Sequence, residues 1–364
     1  METNTNIKHQ TIVKPPLVSV GVIGWIRGNL LSSPGNTVLT LVILSLFWFS
    51  LIPFLKWAFL DACWDPNGNC REAATGACWS VITSNYKMIL FGFFPQHILW
   101  RPITAIVLLV CLLFISRNRR YWNVYLGYAW LISLVIMGVL LKGGVFGLEA
   151  VDIEQWGGLI LTLLLSVFGL TAAYPLGILL ALGRQSRMPV IKTFSIFYIE
   201  LIRGVPLISL LFMSSVVFPL FLPEGVSISG ILRAQVAIIM FTAAYIAEVV
   251  RGGLQGMNKG QFEAADSIGL NYSQTMRLII LPQALKIVIP PSVSILISAF
   301  KDTSLVVIIG LYDLLKTTQS TLSEPRWMGF SAEAYIFIAL VYFVCCFFMS
   351  NYSRQLEKEL DTGL

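Results

Sequence analysis

Charge is scarce in this chain: Asp, Glu, Lys and Arg make up only 12% of its 364 residues, against 56% hydrophobic. So little charge cannot wet the surface of a globule, and a mean hydropathy of +0.77 excludes an ordinary soluble domain. An integral membrane protein is expected. Histidine is scarcer still, with His9 and His97 alone, which excludes the paired ligands of a respiratory haem subunit. No clustered metal ligands and no nucleophile triad are evident, so no metal, cofactor or catalytic residue is expected. No lysine follows a glycine, and a Walker A loop needs that pair to cradle and reach phosphate. The chain therefore has no evident site for ATP hydrolysis, and its energy must come from a partner or a gradient. The net charge of +6 would suit nucleic acid, but the basic residues cluster in loops between apolar segments. That pattern sets topology rather than marking a nucleic-acid partner.

What fills the chain is apolar runs near 37–58, 98–116, 122–142, 157–182, 205–222, 232–250, 288–311 and 332–350. Each approaches the roughly 20 residues that cross a bilayer. The stretch from Tyr86 to Trp100 is interrupted by Pro95 and reads as interfacial. No cleavable signal peptide is evident in the mixed, polar Met1–Pro34 stretch. Eight spans put both termini on one side. If that side is cytoplasmic, sixteen of the 25 basic residues fall inside, among them Lys8, Lys14, Arg117, Arg187 and Lys259. Nine, such as Arg71 and Lys87, fall outside or within spans. The bias favours cytoplasmic termini and places the 251–286 loop in the cytoplasm.

The fold class expected is all-α, with about eight transmembrane helices. Residues 1–150 form an extension with three spans and a Cys-containing outer loop, and residues 151–364 form a five-span core. The outer loop holds Cys63, Cys70 and Cys78. An oxidising compartment permits one disulfide among them, and three free thiols are the alternative. Cys111, Cys345 and Cys346 fall in spans and read as small packing residues.

The 251–286 loop carries the most telling pattern. Glu263, Ala264, Ala265 and Asp266 form a short helix with its two acids at i and i+3, on one face, and with alanines slim enough to enter a groove. Gly269 should end it in the left-handed conformation. Asn271 and Gln274 then read as a capping pair for a second helix running into Pro282. This E-A-A-x3-G-x9-I-x-L-P spacing resembles the loop by which ABC importer permeases dock onto their ATPase. Further stretches match the polar amino-acid subgroup of those permeases: Gly158 to Leu170 with Ala181-Leu182-Gly183-Arg184, Tyr198 to Leu207, Ala243 to Gly253, and Lys301-Asp302-Thr303-Ser304-Leu305. The resemblance covers about residues 155–355. The three-span extension departs from the usual five-span plan and is similar to the longer permeases of the general L-amino-acid importer.

Two pairs flank the loop. Glu200 with Arg203, and Glu248 with Arg251, stand at i and i+3, so each can form a salt bridge that serves as a gate or fixes a corner. Gly204 and Pro206 permit a sharp bend after the first. Lys301 and Asp302 are sharper. If their helix begins near Pro290, Lys301 lies roughly 16 Å in, near the bilayer middle, and Pro290-Pro291 would break or kink that helix and could supply a hinge. Charges there should avoid lipid and face the bundle interior or a water-filled path. Thr303 and Ser304 either satisfy freed backbone groups or line that path. Two readings stand: a route suited to a zwitterionic amino acid, or an interhelical salt bridge that fixes packing. The resemblance implies a permease subunit of an ATP-driven amino-acid importer in the bacterial inner membrane. Its implied partners are ABC ATPase subunits, a second permease subunit (a paralogue) and a periplasmic amino-acid-binding protein. A secondary transporter or channel driven by an ion gradient is the alternative, because Lys301 and Asp302 would serve it equally well.

Overall fold

A computed structural model describes residues 21–65, 70 and 76–360. Lys8, His9, Lys14 and Arg71 lie outside these residues. Chain contacts separate two compact units, divided between Trp79 and Ser80.

In the first unit, α1 (Gly21–Asn29) precedes α2 (Pro34–Leu55). Ser33 caps α2, with Pro34 in the first turn, where a missing N–H costs nothing. The helix is apolar on every side, as suits a lipid-facing span. It continues as a wide π turn, Lys56–Leu60. Beyond it, Trp79 donates its indole N–H to the Ala58 carbonyl at 2.7 Å and stacks on Trp64. Cys70 and Cys78 form a disulfide.

The second unit is built from α3 (Ser80–Phe91), α4 (Trp100–Ser116), α5 (Val124–Lys142), α6 (Gly158–Arg184), α7 (Pro189–Gly204), α8 (Leu207–Phe212), α9 (Gly230–Gln255), α10 (Lys259–Ser267), α11 (Tyr272–Thr275), α12 (Leu281–Asp302), α13 (Leu314–Leu322) and α14 (Ser331–Leu360). Across the described residues of both units, seven helices are long and apolar enough to cross a membrane. The pair Pro189–Gly204 and Leu207–Phe221 is apolar enough to join them but is bent by 103°, as in a broken span or a re-entrant loop. The expected span at 205–222 is thereby corrected. Pro206 cannot continue α7 and drives Val205 to extended φ −110°, ψ 134°. The helix after the break holds only six residues before π and 3₁₀ turns, too short to cross alone.

Of the break or kink expected at Pro290 and Pro291, the break does not occur. They lie inside the continuous helix α12, at the cost of two intrahelical hydrogen bonds. Neighbouring helices tolerate that loss in a membrane bundle. Lys301 thus stands twenty residues beyond the start at Leu281, roughly 30 Å along the helix at about 1.5 Å per residue. The premise that its helix begins near Pro290 is corrected.

Packing centres on α6 against α9. Lipid supplies no hydrophobic drive between helices, so close contact comes from small residues. A Cβ at Gly177 would sit 2.6 Å from Ile246, and one at Gly253 would sit 2.3 Å from Val288. Ala243, Ala247 and Val250 are wholly buried in the same core with Ile280 and Ala284. A second core gathers Leu161, Leu165, Leu211, Ala234 and Ile238 nearer the other end. Arg101, near the start of α4, is only 1% exposed. Its Nε donates to the Leu140 carbonyl at 2.6 Å and its Nη1 to the Glu149 carbonyl at 2.8 Å, which ties the 143–149 loop to the end of α5.

The beginning of α13 is locked to α6 and α3. Gly158 N–H donates to the Tyr312 carbonyl at 2.8 Å, Leu314 N–H to the Thr162 hydroxyl at 3.2 Å, and the Thr317 hydroxyl to the Ile89 carbonyl at 3.1 Å. Gly158 has φ +64°, and a Cβ there would meet the Leu90 backbone at 2.5 Å. Asp313, in the turn between the last two long spans, caps α13 through Lys316 N–H at 2.9 Å. Burial pushes its carboxyl from the ordinary 3.8 up to about 6. The raised value stabilises the fold only while the group is protonated. That contribution is fully present below the ordinary carboxylate range and is lost as pH rises through about 6. Thermal unfolding of the detergent-solubilised protein should therefore show stability falling over this window, and Asp313→Asn, which keeps the cap, should flatten the profile.

Candidate functional site

The loop beyond α9 closes as its residues dictate. Asn258 caps α10 by accepting the Gly260 N–H at 2.9 Å. The helix ends in a Schellman motif: Leu270 N–H reaches the Ala265 carbonyl at 3.1 Å, and Gly269 N–H reaches Asp266 at 3.0 Å. Gly269 has φ +76°, the left-handed conformation that motif requires. Asn271 and Gln274 form a reciprocal capping box. Glu263, Ala264 and Asp266 are exposed, as is Ile268 beside them. Ala265 points the other way and is wholly buried, so it anchors the helix rather than joining its outer face. The Gln283 amide donates to Gln261 at 3.2 Å, bracing α10 against α12.

At the same end of the bundle the charged pairs are rearranged from their sequence spacing. Glu248 and Arg251 do pair, with two short contacts of 2.8 and 3.1 Å to one carboxylate oxygen. Glu200 instead bonds Arg184 at 2.9 Å, and Arg203 turns to Glu248 at 3.4 Å. Arg184 also reaches Glu248 at 2.8 Å. One carboxylate, 15% exposed at its side chain, thus gathers guanidinium groups from α6, α7 and α9. Sequence spacing found four of these five residues and one of their pairs, Glu248 with Arg251, but missed Arg184, whose partners lie 16 and 64 positions away.

A cavity of about 360 Å³ opens between α9 and α12. Phe241, Thr242 and Tyr245 line it from α9, and Ser294, Ile295, Ser298, Ala299 and Asp302 from α12. Asp302 is its single charged lining residue. Lys301 is exposed on the same helix and does not line it. The Thr303 and Ser304 hydroxyls donate to the Phe300 and Lys301 carbonyls, at 2.7 and 2.8 Å, where α12 tightens into a 3₁₀ turn. The two polar residues thus serve the backbone. The lining hydroxyls of Thr242, Tyr245, Ser294 and Ser298 carried no sequence signal of their own, because serine and threonine are ordinary in membrane helices.

Residues 173–362 match the family described as binding-protein-dependent transport system inner membrane component. The chain belongs to that family. The permease is 47% identical over 347 residues, 93% of each chain, to the inner membrane amino-acid ABC transporter permease protein YhdY of Escherichia coli (strain K12). It is 39% identical, over 95% of each chain, to the glutamate/glutamine/aspartate/asparagine transport system permease protein BztC of Rhodobacter capsulatus. The crystal structure of an amino acid ABC transporter with histidines superposes with a TM-score of 0.50 at 32% identity, covering 55% of this chain and 91% of that one. The family works with an ATPase and a substrate-binding protein, which decides between the importer and a gradient-driven transporter. The permease is a multi-pass membrane subunit of an ABC importer, and its family is one of transporter permeases rather than a known enzyme class.

The ionic cluster gives a stability test. Glu248→Gln leaves three guanidinium groups facing one another with Glu200 alone to offset them. A loss on the order of 2–3 kcal/mol is expected, read as a lowered midpoint in thermal unfolding of the purified permease.

Proposed function

We propose that this permease carries L-amino acids inward through the cavity between α9 and α12, and that α10 docks onto the ATPase. The observation that carries this reading is the cavity itself, where one carboxylate and four hydroxyls stand among apolar walls. An amino acid always brings an ammonium group, and Asp302 is placed to receive it. Hydroxyls that both donate and accept then suit the carboxylate end. The relatives' printed names, amino-acid permeases both, support the substrate class.

Residues 151–364 act as the five-helix core of the transporter, with residues 1–150 as its extension. A second permease subunit, a paralogue, completes the path against the exposed sides of α9 and α12, where Lys301 lies at the margin. A periplasmic amino-acid-binding protein delivers substrate, and both termini lie in the cytoplasm of a bacterium, with the permease in its inner membrane. Glu263, Ala264, Asp266 and Ile268 present the face that enters the ATPase, while buried Ala265 and left-handed Gly269 hold that face rigid. The cluster of Arg184, Glu200, Arg203, Glu248 and Arg251 ties α6, α7 and α9 into one body beside the loop.

The test is uptake of labelled amino acids in cells lacking the chain and rescued with it, with ATP depleted while the ion gradient is held. Uptake should vanish with ATP. Asp302→Asn should lower it by about 10-fold or more, through loss of a charge-assisted hydrogen bond. Gly269→Leu, forced into a conformation that costs about 1–2 kcal/mol, should leave the chain inserted yet unable to transport. Uptake that survives ATP loss, or full transport by Gly269→Leu, overturns the reading.

A further inference from the structure

Tyr245 stands where the cavity and the ionic cluster meet. Its ring lines the cavity beside Thr242, and the Arg203 guanidinium carbon lies 5.5 Å from its centroid. That distance is within cation–π reach. Phe241, also a lining residue, packs against the ring at 4.8 Å between centroids and limits its freedom. Arg203 belongs to a different helix, α7, and its Nη1 lies 3.4 Å from Glu248. Glu248 stands three residues after Tyr245 on α9, so ring and carboxylate occupy adjacent turns of one helix face. From Glu248 the chain is short and stiff: Arg251 holds the carboxylate and passes to Gln255 at 2.7 Å, where α9 ends. Asn258 then opens the docking helix.

We infer that Arg203 is a positioning residue that reports cavity occupancy to the docking loop. The inference rests on the reading of the cavity as the amino-acid path. An ammonium drawn toward Asp302 comes to share the electron-rich Tyr245 ring with the guanidinium already on it, and the two cations repel. Arg203 then shifts from the ring toward Glu248, and α7 moves with it against α9. An empty cavity leaves Arg203 on the ring. The hub is suited to this exchange because it carries a surplus cation: among the described residues, Arg184, Arg203 and Arg251 pair with only two carboxylates, Glu200 and Glu248. Glu248 therefore keeps two partners while Arg203 moves. A single cation–π contact biases such an exchange by roughly two- to thirty-fold.

The measurement is ATP hydrolysis by the complete transporter in proteoliposomes, with and without amino-acid-loaded binding protein, together with amino acid moved per ATP. Tyr245→Leu releases Arg203 to Glu248 and should raise hydrolysis in the absence of substrate, Arg203→Met removes the cation that moves, and both should cut the stimulation ratio several-fold. Arg203→Lys keeps the cation and should stay within about two-fold of the parent, whereas Tyr245→Phe keeps the ring face but loses a cavity hydroxyl, and should retain a stimulation ratio several-fold above that of Tyr245→Leu. Should Arg203→Met fail to assemble, Tyr245→Leu decides alone, because it leaves every ion pair in place. A parental stimulation ratio in Tyr245→Leu overturns the inference while the importer reading stands. Loss of stimulation in all four variants alike also overturns it, because a role in packing alone would not spare the conservative pair. A parental transporter that no amino acid stimulates overturns the importer reading, and the inference falls with it.

Discussion

A carboxylate placed among helices in a low-dielectric setting must be matched by cations, or its desolvation works against the fold. Glu248 meets that demand with three guanidinium groups drawn from α6, α7 and α9. Its geometry fixes where those helices end relative to one another, and everything beyond them inherits that frame. The docking helix leaves α9 two turns after Glu248, the bend at Val205–Pro206 follows Arg203 by two residues, and the cavity opens one turn before the carboxylate. An apolar core alone would let these helices slide, because lipid and leucine are nearly equivalent surroundings. The charges supply the register that hydrophobicity cannot.

The same rule, that no polar group goes unmatched in the membrane, explains the local grammar. Thr162 and Ser166 return their hydroxyls to carbonyls one turn back. Ser116 gathers three hydrogen bonds at the foot of α4: Trp122 and Tyr352 to its carbonyl and Trp130 to its hydroxyl. This joins α4 and α5 to the last helix α14, so the two spans preceding residue 150 are integrated with the remainder of their unit. Contact with its neighbours, rather than position in sequence, decides where the chain divides.

Much of this architecture was legible from the residues. Apolar run length found every long span, and Gly269 with Asn271 and Gln274 announced the helix–stop–helix that the Schellman turn and capping box realise. These succeeded because caps and turns depend on neighbours within a few residues. The failures share one cause. Pro290 and Pro291 look like breakers locally, yet packing holds them inside α12. Glu200 and Arg203 look like partners at i and i+3, but Arg184 and Glu248 offer better-buried ones. The cavity was half legible: Asp302 was singled out as an intramembrane charge, whereas Tyr245 and Ser298 acquire meaning only when α9 lies beside α12.

Arg101 carries a consequence for how the chain is made. Two of its guanidinium nitrogens donate to the carbonyls of Leu140 and Glu149, which emerge from the ribosome about forty to fifty residues after it. A translocon that releases α4 before α5 has been synthesised would release an arginine whose acceptors do not yet exist. Insertion of such a residue carries a penalty of up to about 2.5–3.5 kcal/mol, depending on its depth. Helix α4 is therefore expected to wait beside the translocon, or at the headgroups, until α5 arrives. The two spans then enter the bilayer as a hairpin, and the order of biogenesis is written into one buried side chain.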